Sequence, residues 1–74
     1  MPEFIINVNE IEDLQMTGNT VELEQIFTRA KSTVIQGGIV ILTRKYADER
    51  LENFDELSTE ADLEEYRRTV FKYL

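Results

Sequence analysis

Along residues 3–8, EFIINV, apolar positions alternate: Phe4, Ile6 and Val8 fall on one side and Ile5 on the other. A period of two predicts a strand with its larger apolar face turned inward. The pattern then thins. Ile11, Leu14 and Met16 stand among acids and amides, and Thr17-Gly18-Asn19 has turn chemistry. Residues 9–18 therefore read as a connection that packs a few side chains, with at most a short strand or helical turn.

From Asn19 the period changes. Asn19 is a helix cap, and Glu22 three residues on completes a capping-box pair. Leu23, Ile26, Phe27, Ala30 and Val34 follow at helical spacing and form one apolar stripe. Glu22 and Glu24 come before Arg29 and Lys31, the order a helix dipole favours. Gly37-Gly38 ends the helix, because a C-terminus wants a residue that accepts the left-handed conformation.

Residues 39–46, IVILTRKY, open on apolar side chains that are mostly β-branched, and they predict a buried strand. Residues 47–57 fit two patterns. A turn at Ala47-Asp48-Glu49-Arg50 and a returning strand LENFDEL would set Lys45 near Glu52 and Tyr46 near Leu51. A helix would instead use Ala47, Leu51, Phe54 and Leu57. The hairpin is preferred. Ser58-Thr59 opens a new helix at once, and an edge strand rich in acids resists aggregation. The last helix then buries Leu63, Tyr66, Val70 and Tyr73 or Leu74. The expected fold is a single α+β domain over residues 1–74, in the order strand, helix, strand, strand, helix. A right-handed parallel crossover joins the first two strands and a hairpin adds the third. The result is a three-stranded mixed sheet with two helices packed on one face.

Composition narrows the chemistry. The chain has 74 residues, no cysteine, no histidine and a net charge of −7. Disulfides are excluded, zinc lacks its usual ligands, and a serine nucleophile lacks an imidazole base. The acid excess argues against binding nucleic acid or an anionic membrane, and it permits a basic protein partner. No run approaches the roughly 20 apolar residues of a membrane span. Met1-Pro2-Glu3 has no basic start of a signal peptide, so a cytoplasmic location is expected.

Residues 47–65 concentrate the acids: Asp48, Glu49, Glu52, Asp55, Glu56, Glu60, Asp62, Glu64 and Glu65, with Arg50 the only base. They lack the glycine and spacing of a calcium loop. Glu60 and Glu64 lie opposite Leu63 and Tyr66 on the last helix, within reach of Arg67 and Arg68. This reads as a solvated flank, and no catalytic, cofactor-binding or metal residue is assigned. The candidate contact surface is the basic-aromatic cluster Arg44, Lys45 and Tyr46, with Asp55, Glu56, Glu60 and Glu64. The expected function is a non-enzymatic interaction or regulatory domain with a protein partner. The rival is an acidic mimic of nucleic acid that blocks a basic nucleic-acid-binding protein, and an enzyme ranks last. Finally, apolar side chains along Ile39-Val40-Ile41-Leu42 point to both sheet faces. Ile5, Ile39, Ile41 and Phe54 form a face that two helices leave open, which predicts a two-fold homodimer. A fold-over by residues 11–16 is the competing way to cover it.

Overall fold

The computed structural model describes residues 1–74 as six elements: β1 (Glu3–Asn7), α1 (Val8–Thr17), α2 (Thr20–Ile35), β2 (Ile39–Lys45), β3 (Leu51–Leu57) and α3 (Glu60–Lys72). The sheet runs β1-β2-β3, with β1 parallel and β3 antiparallel to the central β2. The mixed three-stranded sheet is as expected. The element order is not, because Val8–Thr17 form a helix and the helices number three rather than two.

The chain leaves β1 abruptly. The Asn7 side chain accepts from the Asn9 backbone N–H at 2.9 Å and caps α1, so Val8 begins a helix instead of ending the strand. Val8 and Ile11 are buried and Leu14 packs against them. The Asn9 amide meanwhile turns back to the sheet. Its Oδ1 accepts from Lys45 N–H at 2.8 Å and its Nδ2 donates to Lys45 C=O at 3.1 Å. One side chain thus stands where a further residue of β1 would have paired with β2.

α1 and α2 share a joint of two residues. Gly18 is left-handed (φ 65°), and Asn19 N–H donates to Leu14 C=O at 3.0 Å, which closes α1. The Asn19 side chain then accepts from Glu22 N–H at 3.1 Å and opens α2. α2 ends the same way. Gly37 has φ 83°, and Gly38 N–H donates to Thr33 C=O at 2.9 Å. Thr59 caps α3 by accepting from Asp62 N–H at 3.1 Å.

One buried cluster joins all three helices to the sheet: Ile6, Val8, Ile11, Leu23, Phe27, Ala30, Val34, Val40, Leu42, Leu57, Leu63 and Val70. Ile26 lies at its margin, and the rings of Tyr66 and Phe71 lean on Phe27 at 5.7 and 6.1 Å between centroids. Phe71 takes the place expected for Tyr73 or Leu74, both of which are exposed. The sheet residues in the cluster alternate onto one face. Because Ile11 joins it and Leu14 packs against it, the apolar side chains of this segment turn to the core and not over Ile5 and Ile41, while Met16 is exposed.

The hairpin is present, one residue tighter than expected. Tyr46 N–H donates to Arg50 C=O, Glu49 N–H donates to Tyr46 C=O, each at 2.9 Å, and Glu49 takes φ 66°. A left-handed residue after a tight turn is the usual closure of a three-residue loop, a place glycine normally fills. Arg44 therefore pairs with Glu52, and Lys45 with Leu51. Further along, Leu42 pairs with Asp55 but Thr43 with Asn53, so Phe54 is the extra residue of a bulge.

A methyl on Gly38 would come within 2.3 Å of the Pro2 carbonyl oxygen and 2.8 Å of Thr33 Cγ2. Gly38→Ala should lower unfolding free energy in urea by about 1–3 kcal/mol or more, through overpacking. Asn9→Ala should lose about 1–2 kcal/mol with its pair of hydrogen bonds to Lys45. Wild-type stability in either variant would contradict these roles.

Candidate functional site

The bulge decides what the sheet offers to its surroundings. Side chains alternate along a strand, so one inserted residue moves every later position to the other face. Leu57 lies opposite Val40 on the cluster side, and Glu56 lies opposite Ile41 on the other. Beyond the bulge Asn53 lies beside Thr43, and Leu51 beside Lys45, both on the side away from the cluster. Without the extra residue Leu51 would point the other way. Ile5 and Ile41 are register partners.

An apolar band therefore crosses the face away from the cluster: Ile5, Ile39, Ile41 and Leu51, with the exposed Phe54 at the bulge between Asn53 and Asp55. Ile5 is 61% exposed, Leu51 64% and Phe54 47%, whereas Ile41 is only 9% exposed. Ile41 belongs to the central strand, and its neighbours on either side shield it. The register sets Ile5, Ile39 and Ile41 on this face and adds Leu51, while Phe54 sits in the bulge without a register partner. Nothing in the sequence marks the bulge with a glycine, so Leu51 could not be placed by alternation alone. Ionic groups bound the band. Glu3 and Glu56 stand toward the start of β2, and Lys45 at its end.

Arg44, Lys45 and Tyr46 do not make one patch. Arg44 turns to the cluster side, where its guanidinium donates to Glu12 at 2.9 Å. Lys45 alternates to the open face. Tyr46 donates its hydroxyl to Glu52 at 3.0 Å and carries the Arg50 guanidinium 4.7 Å above its ring. That hydrogen bond to a carboxylate holds the proton on Tyr46 and raises its pKa above the ordinary value.

The acidic flank is an exposed ridge along β3 and the start of α3. All nine of its carboxylates are exposed. Asp48 pairs with Arg50 at 3.8 Å and Glu64 with Arg67 at 3.7 Å. Arg67 has its closer contact with Glu24 of α2, at 2.6 Å, and lies 4.6 Å over the Phe71 ring. Asp55 caps its neighbour by accepting from Glu56 N–H at 2.9 Å, while Glu60 stands in the first turn of α3. No three of these carboxylates converge closely enough to hold an ion. Between the ridge and α3 a cleft of about 370 Å³ is lined by Leu42, Asp55, Asp62, Glu65, Tyr66 and Thr69, among others. Burial pushes the Tyr66 phenol up to about 12, and the nearby Glu12 carboxylate pushes it the same way.

No helix is long and apolar enough to cross a membrane. No protein-family model matches the chain, and neither curated proteins nor solved structures give a match.

A tyrosine pKa raised by folding stabilises the fold below its unfolded value, near 10, and that contribution is lost as pH rises toward the folded value near 12. Tyrosinate absorbance in an alkaline titration should show Tyr66 ionising near pH 12. Chemical denaturation should show stability declining across that interval, and Tyr66→Phe should flatten the decline. Ionisation of Tyr66 at pH 10 without loss of stability would refute the assignment.

Proposed function

We propose that this chain is a non-enzymatic protein–protein interaction module whose contact surface is the sheet face formed by Ile5, Ile39, Ile41, Leu51 and Phe54. In this reading the three helices cover the opposite face and a partner supplies the missing layer. The observation that carries it is the bulge at Phe54. It sends Leu51 to the face that already holds the exposed Ile5, instead of toward the core. A contiguous apolar patch on a small protein marks a contact surface more often than a bare one. The flanking polar groups Glu3, Asn7, Asn53, Glu56 and Lys45 give it the polar rim common to such surfaces.

A second reading rests on the acidic ridge. Seven of its nine carboxylates have no ion pair with a base, since only Asp48 and Glu64 do. That arrangement could present ordered negative charge to a basic nucleic-acid-binding protein, in the manner of a phosphate backbone.

Site-specific photo-crosslinking in the native cell separates the two. A crosslinker at position 5 samples the open face, one at position 60 the ridge, and one at position 21 an exposed position on α2. Specific adducts at position 5 alone are expected. Adducts at position 60 that vanish at high salt, with none at position 5, would transfer the assignment to the ridge.

A further inference from the structure

The open face has a charge polarity that selects a partner. Along β2 its side chains run Ile39, Ile41, Thr43, Lys45. Glu3 stands beside Ile39 and Glu56 beside Ile41, so acid gathers at one end of the apolar band and Lys45 marks the other. The geometry points to a second copy of this chain, laid face to face with its strands running in the opposite direction. The two-fold axis then lies in the interface and crosses the strands between Ile41 and Thr43. This rests on the reading of the open face as a contact surface, and it names the occupant.

Self-pairing follows from the pattern. A two-fold axis across the strands places each strand over its own counterpart with the direction reversed. Lys45 of one copy comes over Ile39 of the other, beside Glu3, and the same contact occurs twice. Ile41 comes over Thr43 of the second copy, next to the axis. The alternative axis, parallel to the strands, lays β1 of one copy over β3 of the other, which brings Glu3 toward Glu56 and sets Lys45 on Lys45. Like charges placed opposite one another disfavour that arrangement. The size is also adequate. The molecule measures 32 × 27 × 16 Å, a slab one sheet and one helix layer thick. Its broad face can supply a large part of the roughly 800 Å² per partner found in specific interfaces. Closing two slabs on their sheets gives a four-layer assembly with both sheets inside, packed about 10 Å apart.

Most of the acid sits away from this face, on the β3 and α3 ridge, so the two copies repel at long range while their contact faces attract. Salt screens the long-range part, with a Debye length near 30 Å at 0.01 M and about 8 Å at 0.15 M. Association of two copies should therefore strengthen with added salt, whereas binding of a basic partner would weaken.

Sedimentation equilibrium from about 1 µM to about 1 mM is the test, bracketing weak to moderate affinity. The wild type should form a dimer that tightens between low and physiological salt. Ile5→Asp should be monomeric yet melt cooperatively, because Ile5 is 61% exposed in the isolated chain. Lys45→Glu should raise the dissociation constant about tenfold, since two attractive contacts become repulsive. The double variant Lys45→Glu with Glu3→Lys restores the wild-type net charge and should restore the dimer. Lys31→Glu, on the exposed side of α2, makes the same net-charge change as Lys45→Glu and should have the smaller effect. A wild type monomeric throughout, while position 5 still crosslinks to another protein, overturns the second copy and keeps the face as a contact surface. A dimer indifferent to Ile5→Asp sinks both. Loss of the dimer in Ile5→Asp, with Lys45→Glu no weaker than Lys31→Glu, overturns the reversed-strand arrangement.

Discussion

The whole chain hangs on the seven residues of β2. It is the only strand with a neighbour on each side, and it is reached from both ends of the sequence. On one side Pro2 C=O accepts from Ile39 N–H at 3.1 Å, β1 continues the ladder, and the Asn9 amide finishes it at Lys45. On the other side β3 pairs back along it. A central strand must have every backbone group paired. Here that demand is met partly by side-chain chemistry, because α1 begins before β1 is as long as β2. The close approach of Pro2 to Gly38 belongs to the same constraint. Only a residue without a β-carbon lets the N-terminal segment run beside the start of β2.

Much of this could be read from the residues. α2 announces itself twice, by Asn19 at its start and Gly37 at its end, and its stripe from Leu23 to Val34 is the buried one. The alternation of Ile5 against Phe4 and Ile6, and of Ile39 and Ile41 against Val40 and Leu42, gives both faces of the sheet correctly. α1 was hidden for a physical reason. Val8 continues the period of two set by Phe4 and Ile6, yet the Asn7 cap turns the backbone one residue earlier. After Ile11 only partly buried Leu14 and Gln15 remain to signal a helical face. Gln15 instead spends its amide on the Val70 carbonyl near the end of α3, at 3.0 Å, a contact no local pattern encodes.

The hairpin shows how small a misreading moves a site. Loops that need a left-handed residue are usually found by their glycine, and here a glutamate takes that conformation. The turn is therefore shorter than its composition suggests, and Arg44 rather than Lys45 meets Glu52. The bulge at Phe54 has no sequence marker either, and it carried Leu51 to the open face. The basic-aromatic cluster of Arg44, Lys45 and Tyr46 is then divided, with Arg44 and Tyr46 both beside Glu52 and Lys45 on the opposite face. Neighbours in sequence alternate in space, so Arg44 and Lys45 serve opposite faces.

The parallel pairing of β1 with β2 also favours an order of events. Glu3 and Ile39 are register partners at opposite ends of a span containing all of α1 and α2. The β2–β3 hairpin needs only a loop of a few residues. Closing the longer span costs about 2 kcal/mol more loop entropy, on the logarithmic dependence of closure on length. Contacts distant in sequence form late for that reason. The hairpin and the α1–α2 joint can thus assemble early, and β1 docks last, bringing Ile5 beside Ile41. Ile39, Ile41 and Leu51 all belong to the hairpin, so Ile5 is the residue that completes the apolar face of the sheet when β1 docks.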